Sequence, residues 1–445
     1  MARATHSFPA SFLWGTATAG YQYEGHGHNT DFYAWEREPG RIAQGHTSGA
    51  ACDWWGGRWA EDFDRAANDG HNALRFSVEW ARVEPKMGQF DDAALDHYRQ
   101  MAAGLRARGL TPLVTLHHFV NPLWLADTKR NGWEHEDVVA HFANYVRRVV
   151  TALKDHVNLW ATINEPNVYM VSGWLMGTFP PGKKQLAITS TVALNLLRAH
   201  AAAYRIIHEL QPHAQVGLPI HFRPFLPAQP DFAPDEWVAE NQFKLFSSLF
   251  LDALTTGKLR RPFGFAMAVP EAKGAHDYVA LNYYSADIVR FDVTNPLELF
   301  GRRSFPPDSE PDGSGVYASY PPGFMESFKW LEKLRLPIYV TENGIGDEGD
   351  GLRRRYLVQH IRQMWRAVNF NWDVRGYFHW SLVDNFEWER GWTHRFGLYA
   401  LDPATQTRTP RPSARLYAAI CKSNSLSSDI VAEHTPELLA GMFPG

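Results

Sequence analysis

Eight short apolar segments, each rich in β-branched or aromatic residues, recur along the chain at 12–18, 73–80, 111–119, 158–163, 215–222, 277–284, 337–341 and 374–381. Their length and composition mark them as strands. Between several of them the apolar residues change to three- and four-residue steps, as in Leu95, Tyr98, Met101 and Leu105, then Phe142, Tyr145, Val149 and Leu153. That is the period of a helix with one buried face. Further helical stretches fall near 192–210, 236–254 and 352–368. Alternation of strand and helix calls for a parallel sheet, because parallel neighbours need a crossover between them. Eight such units in 445 residues predict an α/β fold, one closed (β/α)8 TIM barrel with extended loops on its active face, rather than three small domains. The whole of 1–445 is expected to form this single domain, with 424–445 a peripheral tail.

Several function classes are excluded by charge and composition. The formal net charge is −4 and the longest basic run is Arg353, Arg354 and Arg355, so the chain lacks the clustered positive charge that nucleic-acid binding needs. No apolar run approaches the ~18 residues that span a membrane. The first nine residues contain no apolar core of a secretory signal, and the two cysteines, Cys52 and Cys421, make no disulfide framework, which suggests a reducing, cytoplasmic setting. Aromatics are plentiful, with 17 Trp, 17 Tyr and 27 Phe. They fill cores, and their flat faces also suit the C–H faces of sugar rings.

Barrel chemistry gathers at the C-terminal ends of the strands. The fourth strand segment ends Ala161-Thr162-Ile163-Asn164-Glu165-Pro166 and the seventh ends Tyr339-Val340-Thr341-Glu342-Asn343-Gly344, so each delivers a carboxylate after an apolar run. Three strand positions apart on an eight-membered ring, these glutamates can face each other across the mouth. Facing carboxylates suit glycoside cleavage, where one hands a proton to the leaving oxygen and the other, ionised, attacks the anomeric carbon. Burial and a neighbouring negative charge would keep the acid protonated, and Arg75, on the second strand, would keep the nucleophile ionised.

Four motifs in order, Phe12-Leu13-Trp14-Gly15-Thr16-Ala17-Thr18, Thr162-Ile163-Asn164-Glu165-Pro166, Thr341-Glu342-Asn343-Gly344 and Asn385-Phe386-Glu387-Trp388, resemble those of glycoside hydrolase family 1, the β-glucosidase family, over about 8–417. The resemblance implies a retaining double displacement with Glu342 as nucleophile and Glu165 as general acid, then base. It implies that Asn164 bonds the sugar 2-hydroxyl, that Gln22 and His118 contact the outer hydroxyls, and that Glu387 accepts from O4 and O6. Trp380 would be the stacking floor, Trp388 would donate its indole N–H, and Phe396 would close the wall. Asn282 and Tyr284 would hold the nucleophile's carboxylate. Taken singly, His118 is equally readable as a core histidine, Trp380 as core filling and Glu387 as a solvated loop charge. The substrates implied are small-molecule β-glucosides and cello-oligosaccharides, with β-galactosides and β-fucosides beside them. No cofactor or metal is needed.

Two departures from the family pattern lie on the leaving-group side: Phe119-Val120 where many relatives carry Trp and Asp, and Asn167 where a Trp is frequent. A phospho-sugar branch places Ser, Lys and Tyr at the positions of Glu387, His394 and Phe396, and a carboxylate at 387 would repel a 6-phosphate. A 6-phospho-β-glycosidase, a non-catalytic sugar-binding barrel and an endo-acting glycanase are the competing readings. The Pro- and Gly-rich stretch 296–323 would extend the sixth strand-to-helix loop over the active face. The sequence Gly344-Ile345-Gly346-Asp347-Glu348-Gly349 fits G-x-G-x-x-G, but its acids would repel a pyrophosphate, so a flexible loop is expected there. His26 and His28 form a loose H-x-H without further ligands.

Overall fold

A computed structural model describes residues 4–127, 132–261 and 265–443. Its central sheet carries the strands Leu13–Ala17, Ala73–Ser77, Thr111–His117 and Leu159–Ile163, then Val279–Tyr283, Ile338–Asn343 and Val374–Trp380. All neighbours in it pair in parallel, and the eighth strand pairs back with the first, Gly376 against Leu13 through Trp380 against Ala17. The fifth position is filled by two pieces. Gln215–Gly217 pairs with the fourth strand and Pro219–His221 with the sixth, with Leu218 between them. The phenol of Tyr278 reaches the carbonyl of Trp160 at 2.8 Å, and its ring lies where a Cβ on Gly217 would sit, 2.5 Å away. Pro219 has no N–H to offer a ladder. The segment expected at 215–222 is therefore a broken strand that still completes the ring.

Strand alternation sorts side chains to two cores. Ala73, Leu113, Leu159, Ala161, Ala280 and Tyr339 cluster inside the ring, whereas Leu74, Val114, Trp160, Leu281 and Val340 join the larger core outside it, under the helices. Two residues beyond the inner apolar set, the same alternation delivers Arg75, Thr115, Asn282 and Thr341 to the interior. This polar layer is buried and bonded within itself: Arg75 Nε donates to Thr115 Oγ1 at 2.9 Å, and Thr341 Oγ1 donates to Asn282 Oδ1 at 2.6 Å. The barrel thus changes from hydrocarbon to hydrogen-bonded polar groups at one end, the end that bears both glutamates.

The helices at Asp92–Ala107 and Val138–Leu153 bury the residues their periodicity selects, and Asp91 caps the first by accepting from the N–H groups of Ala93 and Ala94. The helix expected through 236–254 is two, Ala233–Phe246 and Leu249–Thr256. Around Ser247 and Ser248 the chain turns, and the Ser247 hydroxyl bonds both backbone groups of Arg223. The 296–323 stretch holds paired strands: Gly301–Ser304 runs antiparallel to Asp287–Phe291, and Glu310–Pro311 pairs with Ala318–Ser319. Near the C-terminus, Ser425–Ser427 pairs with Thr5–Ser7, and Phe443 stacks on His6 at 4.7 Å. Positions 444–445 of the expected tail lie outside the described residues. No helix among the described residues is long and apolar enough to cross a membrane.

Candidate active site

Glu165 and Glu342 line one cavity of about 220 Å3 at the polar end of the barrel. Regular alternation would point Glu342 outward, since Thr341 already faces in. A register shift resolves this, because Leu281 pairs with Val340 but Asn282 pairs with Glu342, leaving Thr341 as the extra residue. Such a bulge re-aims the side chain that follows it. Glu165 is placed by strain instead. It sits in the left-handed region at φ 40°, after its N–H donates to Pro219 O at 2.8 Å and before the helix Pro166–Met170. Two further pocket residues, Phe119 (φ 72°) and Trp388 (φ 45°), are left-handed as well. Non-glycine residues held this way cost on the order of 1–3 kcal/mol each and concentrate at functional sites.

The two carboxylates have unlike surroundings. Glu342 is held on both oxygens: Arg75 Nη1 donates to Oε1 at 2.7 Å and the Tyr284 hydroxyl to Oε2 at 2.6 Å. Glu165 receives the Asn282 amide on Oε1 at 2.8 Å, with His221 Nδ1 at 3.6 Å from the same oxygen. Asn282 was expected on Glu342 beside Tyr284. Its Oδ1 is instead engaged by Thr341, and its Nδ2 turns to Glu165 and to Asn164 Oδ1 at 3.2 Å. Arg75, expected to keep Glu342 ionised, does bond it and pulls its carboxyl down, but it does not act alone. Burial pushes Glu342 upward, the downward pull of Arg75 does not cancel it, and the Glu165 charge adds to the rise.

One chain of bonds fixes several orientations. A guanidinium only donates, so Arg75 Nη2 at 2.6 Å from Asn164 identifies that atom as the amide oxygen. Asn164 Nδ2 then donates to His118 Nε2 at 3.1 Å, which leaves the ring proton on Nδ1. Burial holds His118 well below its usual pKa, so it is neutral, and Nδ1 has no partner among the described residues. Glu387 accepts from Asn385 Nδ2 at 2.5 Å and from Gln22 Nε2 at 3.1 Å, both on Oε2. Its surroundings push its carboxyl up to about 8, chiefly through burial. Gln22 lies fully buried beneath Glu387 rather than on the cavity wall, and its Oε1 is unpartnered among the described residues.

His118, Asn164, Tyr284, Trp380, Glu387, Trp388 and Phe396 all line the cavity. The His118 ring lies nearly parallel to Trp380 and Trp388, at 6.1 and 5.9 Å. Arg75, Asn282 and Gln22 stand behind this wall. Asn167 turns away and braces the loop opposite, donating to His221 O at 2.9 Å and Phe246 O at 3.2 Å. Sequence reasoning missed His221, Arg223 and Tyr317, which also line the cavity. A polar residue ending the fifth strand was a signal for His221, as Asn282 was on the sixth. Tyr317 had none, being enclosed in the Pro- and Gly-rich stretch. The G-x-G-x-x-G loop is not slack: Asp347 accepts the N–H of Arg353 at 3.0 Å, and buried Arg353 donates to Asp347 O. An acid of the chain itself takes the helix N-terminus that a phosphate would seek.

A barrel with two strand-end carboxylates over a small pocket of aromatic and hydroxyl-matching groups defines a glycoside-cleaving enzyme. The chain belongs to Glycosyl hydrolase family 1, whose family model matches residues 4–426. It is therefore an O-glycosyl hydrolase. It is 32% identical to the 1,4-beta-D-glucan glucohydrolase of Thermotoga neapolitana, over 94% of this chain and 99% of that protein. It is 31% identical to the beta-galactosidase of Pyrococcus woesei, over 96% and 99% of the two. The solved beta-glycosidase from Pyrococcus horikoshii superposes with a TM-score of 0.90 at 36% identity, over 97% and 98%.

Proposed function

We propose that the protein is a retaining, exo-acting β-glucosidase that also accepts β-galactosides and β-fucosides. The observation that carries this is the unequal treatment of the two carboxylates. Glu342 is gripped on both oxygens by a cation and a phenol, the hold an attacking carboxylate needs, while Glu165 meets a neutral amide and keeps an oxygen for the leaving group. In the first step Glu165 gives its proton to the glycosidic oxygen as Glu342 bonds the anomeric carbon and the glycosidic bond breaks. In the second, Glu165 takes a proton from water, whose oxygen displaces Glu342 and releases the sugar with its configuration kept.

Glu387, held from behind by Gln22 and with His118 beside it on the cavity wall, favours a terminal sugar rather than an internal one. Glu387 offers no cation to a 6-phosphate, which favours an unphosphorylated sugar. Cello-oligosaccharides are expected to lose glucose units one at a time. Both cysteines are free and buried, which fits a cytoplasmic setting. The test is hydrolysis of an aryl β-glucoside followed by proton NMR, with β-glucose expected as the first anomer formed. First appearance of the α-anomer, or release of cellobiose units from longer chains, defeats the proposal. In parallel, Glu165→Ala is expected to slow poor leaving groups far more than good ones, and equal losses would remove Glu165 from the acid role.

A further inference from the structure

The cavity that holds the glutamates shares two wall residues, Arg223 and Val316, with a neighbouring cavity of about 450 Å3. This outer space is framed by the hairpin that contains Gly301–Ser304, and its wall carries three arginines, Arg223, Arg302 and Arg303, against two acids, Asp287 and Glu298. Asp287 is buried and accepts from Arg223 Nη2 at 2.6 Å, with Arg303 Nη1 at 3.9 Å from its other oxygen. That single bond is the only hydrogen bond of the Arg223 side chain among the described residues, and its Nε is unpartnered. On the inner side, His221 is 5% exposed, lines the catalytic cavity, and has an Nε2 without a partner among the described residues.

The side chains therefore change from carboxyl groups to guanidiniums along the path a glycoside must occupy. Glu165, Glu342 and Glu387 crowd the sugar end, where Glu389 is tied to Arg390. Beyond Glu165, the wall carries an unpartnered His221 Nε2 and the under-used guanidinium of Arg223, then two arginines held by acids, Arg302 by Asp292 and Arg303 by Glu298. We infer that the leaving-group side of this site binds an oxyanion, so that the preferred substrates are β-glucosides whose aglycone carries a carboxylate. A charge-assisted bond from Arg223, whose Nε is unpartnered among the described residues, would orient such a substrate with the neutral sugar inward. This inference rests on the β-glucosidase reading above.

The test compares kcat/KM for 4-(carboxymethyl)phenyl β-D-glucopyranoside and its uncharged amide. The methylene insulates the phenolic oxygen, so the two leaving groups are nearly equal and the ratio reads recognition. The wild-type enzyme is expected to favour the carboxylate about tenfold at low salt, the scale of one charge-assisted contact. Raising the salt to half-molar is expected to shrink the ratio. Arg223→Gln is expected to bring it to within about threefold of unity, and Arg223→Lys to restore part of it. Because Arg223 leans on buried Asp287, Arg303→Gln on the exposed hairpin serves as a second variant, expected to lower the ratio about threefold. A wild-type ratio of one or less, or a ratio unmoved in both Gln variants, overturns the oxyanion assignment alone. Failure to cleave either glucoside overturns the β-glucosidase reading and this inference with it.

Discussion

At the scale of single residues, the site works by spreading one guanidinium over several tasks. Arg75 bonds Thr115, Asn164 and Glu342 at once, and through Asn164 it fixes the proton position on His118. The pH dependence follows from Glu342. Its folded pKa is raised and in the proposed role it attacks in its ionised form, so kcat/KM is expected to fall as the medium is acidified through a value above the ordinary 4.5. A pH profile whose acid limb lies at or below 4.5 would contradict this. Glu387 carries a cost to stability of the opposite sense to a salt-bridged acid. The folded state keeps a proton up to about pH 8 that the unfolded state releases near 4.5, so stability drains away as pH rises between those values. Glu387→Gln, with no proton to lose, is expected to melt roughly 2–4 °C above the wild type at pH 8 and level with it at pH 4.5, a figure kept small because one side of Glu387 faces the open cavity. Calorimetry at both pH values checks it. The identities of Glu165 and Glu342 were legible in the sequence because strand ends are where apolar runs stop. The partner of Asn282 was not, since the choice between Glu165 and Glu342 is made by the hydroxyl of Thr341, a contact between strands.

At the scale of elements, buried strands and two-faced helices were readable because period and burial coincide. The failures fall where a local contact overrides the pattern. Ser247 interrupts a helical run by bonding the Arg223 backbone, and Pro219 with Tyr278 breaks the fifth strand. The hairpin strands at Gly301–Ser304 and Glu310–Pro311 were hidden because prolines and glycines mark turns without saying what pairs across them. One glycine of the decoy motif does have a role in joining elements. A Cβ on Gly344 would lie 1.9 Å from the carbonyl oxygen of Trp380, so the ends of the seventh and eighth strands approach only because that atom is missing. Gly344→Ala is expected to destabilise the fold by about 1–3 kcal/mol, the usual range for overpacking, and to lower kcat by shifting Glu342 and Trp380 together. Chemical denaturation and steady-state kinetics on the same preparation test this. A variant with unchanged stability and activity would show that the strands can part at no cost.

At the scale of the whole molecule, the two ends of the chain meet. Ser425–Ser427 pairs with Thr5–Ser7, Leu426 and Val431 are fully buried, and Phe443 packs on His6. Removal of residues after Asn424 is expected to lower the melting temperature by several degrees while leaving kcat/KM at room temperature within about twofold, since none of the excised groups lines the cavity. A truncated protein that melts with the full chain would assign the tail no part in the fold. The ring itself is not uniform. The bulge at Thr341 shifts the register beside Glu342, while at Leu218 the pairing passes from one side to the other, and Glu165 is moored to the very next residue. A joint there would open beside Glu165, on the flank facing the departing group in the proposed mechanism, while Glu342 stays held by the side chains of Arg75 and Tyr284.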